Sequence, residues 1–276
     1  MPSKSRWLSL ASCAALIVFA SGCSKLQSRD EMNKGVQAYR ANHYAEAVRH
    51  FKQAVELDPT NKNARLYLAT SYMIQWVPGA DSPDNKKNYD MAKRTFDDVL
   101  KEEPTNSLAL ASMASMAYNS ASSGTDEQKK VALEEAKRWN LRRIEADPKD
   151  AEAYYYLGVI GWADAYPAIR EARHNGNMKA DDPGPIKDAK VRTDLQGKYG
   201  AVVNDAIDNL NKCLQRDKQN EDAMSYMNLL YREKADLENT PEDAKADIAK
   251  AEDWSNKSLD MRRIKANQPA KTTQTS

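Results

Sequence analysis

Cysteine, histidine, phenylalanine and glycine are all scarce in this sequence, with 3, 3, 3 and 10 copies among 276 residues. Three cysteines cannot form a disulfide framework. Three histidines leave few options for general-base catalysis or metal binding. The scarcity of glycine and phenylalanine, beside abundant Ala, Leu, Lys, Asp and Glu, argues against an all-β fold.

An excess of charge of either sign is also absent, since 41 Lys and Arg residues face 40 Asp and Glu residues. A nucleic-acid partner is therefore not expected, because such proteins usually carry a basic excess. The sequence has no phosphate loop, dinucleotide-binding turn, nucleophile elbow or pair of zinc ligands. We expect no catalytic residues, no cofactor and no metal. The composition, 41% hydrophobic and 29% charged, fits a helix-rich soluble body.

The first 23 residues have the pattern of a signal peptide at 1–22. Lys4 and Arg6 precede an apolar segment too short to span a bilayer, and three small residues then lead to Cys23. This ending resembles the bacterial lipobox, in which the cysteine becomes the lipidated first residue of the mature chain. The resemblance implies a lipid anchor on Cys23 and a place on the periplasmic face of the cell envelope. Because Ser24 rather than Asp follows, a Gram-negative host would sort it to the outer membrane. The alternative is a soluble periplasmic protein.

A helical frame recurs along the rest of the chain. Within residues 44–59 an alanine is followed by a large residue after four positions, a small one after three more and a proline after five more. This spacing places three apolar residues on one helical face, and the proline ends the helix. Alanines begin the copies of this frame at positions 47, 92, 136, 206 and 251. Helix N-caps are predicted at Asn61, Asn106, Asp150, Asn220 and Thr240.

The frame resembles the tetratricopeptide-repeat signature, in which an aromatic residue and Leu-Gly precede a second helix with Ala, Phe, Ala and Pro. The first copy matches at Gly35, Tyr44, Ala47, Phe51, Ala54 and Pro59, and the fourth at Tyr154, Leu157 and Gly158. The resemblance implies an all-α fold, a right-handed α-α superhelix (solenoid) of about five helix pairs. We expect this solenoid at 29–265, after a tether at 23–28 and before a disordered tail at 266–276. Its repeats are predicted near 29–61, 62–106, 107–150, 151–220 and 221–265.

The repeats are longer than the family's period of about 34 residues. The frame alanines are 45, 44, 70 and 45 residues apart, and we place the excess between the two helices of each repeat. This predicts a polar loop at 77–88, a second centred on 120–128 and a large insert at about 165–200.

Some frame positions hold unusual residues. Asn140 and Arg143 stand where apolar residues are expected, so we predict that Trp139 takes over the core role. Cys213 is predicted to be an inert core thiol. His43 and His50 are predicted to be surface residues.

In the family, the first helix of each pair lines a concave groove. Carried over to this sequence, the resemblance implies that a mixture of aromatic, amide, aliphatic and arginine side chains faces the groove. They are Tyr39, Arg40, Asn63, Leu66, Thr70, Tyr118, Asn119, Tyr155, Val159, Trp162 and Arg232. Such a mixture suits peptide recognition. We therefore expect a non-catalytic, membrane-anchored scaffold or adaptor that binds protein or peptide partners of the cell envelope and serves in assembling envelope machinery, with its oligomeric state open.

Two other functions remain open at this point. The insert contains His174, Asp181 and Asp182, which could serve a hydrolase or a metal-dependent enzyme. The aromatic residues at 154–156 and Trp162 could instead bind a small molecule or a glycan.

Replacement of Cys23 by alanine tests the predicted lipid anchor. Without the sulfur there is no acceptor for the acyl chains, so we expect the protein to move from the membrane fraction to the soluble fraction. Fractionation of cells followed by immunoblotting measures this, with the Cys213→Ala variant as the control that stays on the membrane. Retention of the Cys23→Ala protein on membranes would contradict the prediction.

Overall fold

The computed structural model describes residues 5–179 and 182–267, with side chains described from Cys23 onward. Within these ranges the chain forms ten α-helices and no strand, which confirms the predicted all-α class. Asp181, the first four residues of the predicted signal peptide and residues 268–276 of the predicted tail lie outside the described ranges. The contacts divide the chain into two compact units, 1–124 and 125–276.

The first unit contains five helices, each packed against the next in sequence. They are α1 (Ser5–Arg40), α2 (Tyr44–Leu57), α3 (Lys62–Gln75), α4 (Pro83–Glu102) and α5 (Ser107–Ser120). The frame residues Ala47, Phe51 and Ala54 are fully buried on one face of α2, as their spacing predicts. The predicted tether at 23–28 is instead part of α1, and the buried hydroxyl of Ser28 donates a hydrogen bond to the Ala54 carbonyl at 2.8 Å.

The second unit also contains five helices, with consecutive helices in contact and α7 also touching α9. They are α6 (Asp126–Ala146), α7 (Ala151–Asn175), α8 (Ala189–Arg216), α9 (Glu221–Leu237) and α10 (Pro241–Ala266). Leu210, Cys213 and Met227 are fully buried in its core. The burial of Cys213 confirms its predicted core position, and it raises the pKa of the thiol to about 11.

The predicted caps are confirmed. The side chains of Asn61, Asn106, Asp150 and Asn220 each accept a hydrogen bond from the backbone N–H three residues later, at 2.8–3.1 Å. Thr240 caps α10 in the same way, followed by proline in the first turn. Each cap satisfies a backbone donor that the helix leaves unpaired.

The residues that exceed the family's repeat length extend the helices more than the loops. The predicted polar loop at 77–88 is therefore too long. α4 already begins at Pro83, because Ser82 caps it and proline suits the first helical turn. Asn85 is buried and closes the preceding turn through hydrogen bonds with the backbone of Val77 and Ala80. The second predicted loop is similarly short, since Thr125 and Gln128 form a capping box at the start of α6.

Trp139 does not take over the core role that the sequence suggested. Asn140 and Arg143 are themselves buried, while Trp139 is half-buried under the Arg142 guanidinium, 4.6 Å from its ring centroid. Arg143 is tolerated inside because Asp150 and Glu152 both accept hydrogen bonds from it, at 2.6–3.2 Å. The buried cation therefore joins the end of α6 to the start of α7.

The two glycines of α7 and α8 that differ most in surroundings allow a matched test of this packing. A Cβ on Gly158 would lie 2.5 Å from atoms of the fully buried Leu210, whereas a Cβ on Gly197 would meet nothing within 4 Å. We expect Gly158→Ala to lower the free energy of unfolding by about 1–3 kcal/mol through overpacking. Gly197→Ala should raise it by about 0.5–1 kcal/mol, because alanine favours the helix. Denaturant titration of both variants measures the two shifts, and an equal effect of both would refute the close packing of α7 on α8.

Candidate functional site

Five aromatic side chains form a continuous row on α7 and α9, which we call the aromatic row. Its members are Tyr156, Tyr155, Tyr226, Trp162 and Tyr166, and all five are partly exposed. Neighbouring ring centroids lie 5.3, 5.8, 5.4 and 4.8 Å apart in that order. These separations are those of favourable edge-to-face and stacked aromatic pairs.

The row follows from helix geometry. Tyr155, Trp162 and Tyr166 are spaced by seven and four residues, which places them on one face of α7. Tyr226 enters the row from α9 and lies edge-on to both Tyr155 and Trp162. The Asp150 cap fixes where α7 begins and so sets the register of its side chains.

A cavity of about 490 Å³ lies at one end of the aromatic row, between α7, α9, α10 and the segment that follows α7. Its apolar lining consists of Trp162, Tyr166, Ile169, Met178, Leu229 and Ile248. Its polar lining consists of Arg170, Arg173, His174, Asp182, Arg232, Glu233 and Asp236. This combination of apolar walls and a few convergent polar groups is typical of ligand-binding cavities.

Glu233 is the most unusual of these polar groups. Its side chain is only 5% exposed, and neither carboxylate oxygen has a hydrogen-bond partner among the described residues. Burial, reinforced by the nearby Asp236 charge, raises its pKa to about 9, so the carboxyl is protonated at neutral pH. The Trp162 indole N–H faces it and offsets part of this rise, but it too lacks a well-aligned partner.

Asp236 lies one helical turn after Glu233 and is paired. Its carboxylate accepts a hydrogen bond from Arg173, although burial outweighs this cation and raises the Asp236 pKa to about 6. Arg173 also donates to the backbone carbonyls of Lys179 and Asp182. The Asp236 carbonyl accepts a bond from Ile186 N–H at 3.0 Å. Of the predicted insert at 165–200, only the segment between α7 and α8 lies outside helices, and we call its described residues (176–179 and 182–188) the insert from here on. The insert is thereby fastened to the end of α9 rather than solvated as a free loop.

Gly184 is required for this contact. A Cβ at that position would lie 2.2 Å from the Ala235 carbonyl oxygen, so only glycine lets the insert approach α9 so closely. Ile186, two residues later, is 2% exposed and packs into the core of the second unit.

In the second unit, the residues predicted to face a groove differ in their location and exposure. Tyr155 and Trp162 belong to the aromatic row, and Arg232 is exposed at the cavity. Val159 is 2% exposed, so it packs in the core and cannot contact a partner. Its spacing of four from Tyr155 and three from Trp162 puts it on the same face of α7 as those rings, so its burial does not follow from helix spacing.

In the first unit the predicted residues are more dispersed. Tyr39 packs edge-on against Tyr44 and Tyr67, with centroids 5.4 and 6.0 Å away. Arg40 and Asn63 are exposed, Leu66 is half-buried, and the Thr70 hydroxyl bonds the Leu66 carbonyl of its own helix. Tyr118 and Asn119 are half-buried near the end of α5.

The three histidines are also resolved. His43 and His174 are exposed, but His50 is buried, which corrects its prediction as a surface residue. Its Nδ1 lies 2.6 Å from a Glu31 carboxylate oxygen, and that contact compensates for its burial between α1 and α2. His174 and Asp182 both line the cavity, and the described residues contain no group of three metal-ligating side chains.

Sequence reasoning missed Tyr226, Glu233 and Asp236. Glu233 and Asp236 are three residues apart on α9, and the sequence pattern of that helix does not predict that either of them is buried. Asp236 is buried because the distant insert covers it, a contact that no local pattern specifies. Tyr226 follows the predicted Asn220 cap within two helical turns, and that cap was the available signal for it.

The raised pKa of Glu233 predicts a pH-dependent stability. In the folded chain the carboxyl holds its proton up to about pH 9, whereas the unfolded chain releases it near the ordinary value. Stability should therefore fall as pH rises from 6.5 to 8.5, by at most about 1.4 kcal/mol per pH unit. This window lies above the Asp236 pKa. Glu233→Gln should flatten the slope and exposed Glu252→Gln should retain it, as urea titrations at each pH would measure. An unchanged slope in Glu233→Gln would contradict the assignment.

Comparison with known proteins locates the repeat signature and the fold. A family model described as tetratricopeptide repeat matches residues 32–61. No curated protein matches this sequence significantly. Within the described residues, none of the helices combines the length and the apolar character that crossing a bilayer requires.

Solved structures of MamA are similar in fold. The MamA RS-1 ArsTM double mutant has a TM-score of 0.55 at 14% identity, covering 88% of this chain and 98% of that one. MamA residues 41 to the end from Desulfovibrio magneticus RS-1 give 0.53 at 15% identity, covering 86% and 96%. A further MamA crystal structure gives 0.53 at 16%, covering 87% and 94%. At these identities the likeness concerns the fold alone. The chain therefore carries a tetratricopeptide repeat at residues 32–61, and its helices share the fold of these structures.

Proposed function

We propose that this protein is a non-catalytic adaptor that binds a segment of an envelope protein along the aromatic row. The observation that carries the proposal is the row itself, five partly exposed rings in mutual contact on α7 and α9. Tyrosine and tryptophan are common binding anchors, because they offer large contact areas and lose little conformational entropy when they are immobilised. An isolated exposed ring would need no explanation, whereas a continuous row favours a binding surface.

The cavity supports the same proposal. Trp162 and Tyr166 belong both to the aromatic row and to the cavity lining. A bound segment could therefore lie on the row and insert one side chain into the cavity. Such an anchor in a desolvated pocket is the usual form of an interaction hot spot.

The membrane anchor is the second part of the proposal. We infer that the chain is held through lipid on Cys23, which is exposed on α1, at the periplasmic face of the outer membrane. Several acyl chains would hold a body of this size firmly, since each buried CH₂ contributes about 0.8 kcal/mol. An adaptor fixed in this way would suit the assembly of envelope machinery, because it holds one protein near the membrane surface while another is added.

Photocrosslinking in cells tests the binding surface. A photoreactive phenylalanine derivative at Tyr155 or Tyr226 should capture the same discrete partner, because both positions lie in the aromatic row. The same probe at Leu259, which is 48% exposed on α10, is the matched control and should not capture it. A double variant Tyr155→Ala/Tyr226→Ala should weaken binding of the captured partner about tenfold or more. Identical products from row and control positions, or no product from the row, would contradict the proposal.

A further inference from the structure

The cavity at the end of the aromatic row is lined by a carboxyl group that has no well-aligned hydrogen-bond donor within the part of the chain that the structure describes. Glu233 is buried, at 5% exposure, and neither carboxylate oxygen has a well-aligned donor among the described residues, although the Trp162 indole N–H faces it. Buried polar groups in proteins are nearly always hydrogen-bonded, and an exception calls for an explanation. Because Glu233 lines an open cavity, a donor supplied by a ligand is the direct explanation.

We propose that the cavity binds a lysine side chain of the partner protein, with its ammonium group paired to Glu233 and its alkyl stem against Trp162 and Tyr166. This inference rests on the proposed adaptor function and deepens it by naming the chemistry of the anchor. It concerns a side chain inserted from the row, and not the recognition of a free chain terminus.

The walls suit the two parts of a lysine side chain. Trp162 and Tyr166 are stacked, with centroids 4.8 Å apart and planes 24° apart, and they offer a flat apolar surface for the four methylene groups. Aromatic faces also attract an ammonium ion. The remaining apolar lining, including Ile169, Leu229 and Ile248, excludes water from the pair and strengthens it.

Lysine fits the polar groups better than arginine does. An ammonium ion has three donors, which the two oxygens of Glu233 and a ring face can satisfy. A guanidinium has five donors in a rigid fork, and the other two carboxylates that line the cavity already have donors, Asp236 from Arg173 and Asp182 from the Lys179 backbone N–H. Arginine would therefore leave buried donors unpaired.

The charges at the rim of the cavity indicate which residues would flank that lysine in the partner protein. Arg170 and Arg232 are exposed there, and the Arg170 guanidinium lies 5.9 Å from the Tyr166 ring centroid. These cations repel a basic peptide and attract acidic residues next to the inserted lysine. The expected motif is thus a single lysine flanked by aspartate or glutamate.

Binding should release a proton from Glu233, because its carboxyl is protonated in the empty cavity and ionised beside an ammonium ion. Affinity should then rise with pH up to about pH 9. The other charged groups that line the cavity are Asp236 on α9, Arg170, Arg173 and His174 on α7, Asp182 in the insert and Arg232 on α9.

The test uses the purified full chain and three peptides of the form acetyl-Ala-Glu-X-Glu-Ala-amide, with X as lysine, acetyl-lysine or arginine. Binding is followed by the ¹H–¹⁵N resonance of the Trp162 indole, assigned with Trp162→Phe. We expect the lysine peptide to bind at least thirtyfold more tightly than the acetyl-lysine peptide and more tightly than the arginine peptide. Its dissociation constant should fall by up to about tenfold per unit between pH 7.5 and 9.0.

The variants complete the design. Glu233→Gln should weaken the lysine peptide at least thirtyfold and remove the pH dependence, whereas Glu252→Gln, at an exposed position outside the cavity, should change neither. Thermal melts establish that each variant is folded. Equal binding of the acetylated peptide, full binding by folded Glu233→Gln, or an affinity that falls with pH would overturn the lysine assignment. The absence of binding by all three peptides would also overturn it. If crosslinking at Tyr155 and Tyr226 still captured a partner in that case, the adaptor proposal would stand without the lysine assignment.

Discussion

The buried ion pair between Arg173 and Asp236 holds the candidate site together. Arg173 stands at the end of α7 and bonds, besides this carboxylate, the backbone of the insert at Lys179 and Asp182. One side chain therefore joins α7, the insert and α9. Without it, Asp236 would be a buried unpaired charge, and the insert would keep only the Ile186 N–H bond to the Asp236 carbonyl and the packing of Ile186. The wall of the cavity formed by Met178 and Asp182 depends on the attachment through Arg173.

Helix α9 carries two buried carboxyl groups, of which one is paired with a cation and the other is not. Asp236 has a cation and Glu233 has none, and both are buried. A chain selected only for stability would place an apolar residue at 233, because an unpaired buried carboxyl is costly. Natural proteins commonly accept such costs where a ligand later satisfies the group. Because Asp236 is paired and Glu233 is not, we assign Asp236 a structural role and propose that Glu233 binds the ligand.

Local physics made much of the fold predictable and little of the site. The caps at Asn61, Asn106, Asp150 and Asn220 and the frame residues of α2 act within one or two helical turns, so the sequence pattern reveals them. Ser82 and Pro83 carried the same kind of signal, but the polar run around them concealed the start of α4.

Contacts between distant segments were not predictable in the same way. Asn140 and Arg143 appeared to break the core pattern, because their compensation by Asp150 and Glu152 requires knowing how α6 meets α7. Glu233 likewise looks like any solvated acid of a helix until Trp162 and Ile248 are placed around it. A residue that a distant element buries can have a role that its neighbours in the sequence do not reveal.

The continuous helix through Cys23 has a consequence for motion at a membrane. Residues 23–28 rise by only about 1.5 Å each in α1, and Ser28 is already bonded to α2. A lipid on Cys23 would consequently be attached without slack, and the first unit would tumble with its anchor as one body. Such a protein would find its partners by diffusing laterally in the plane of the bilayer, and it would sample only those that come within a few tens of ångströms of the headgroups.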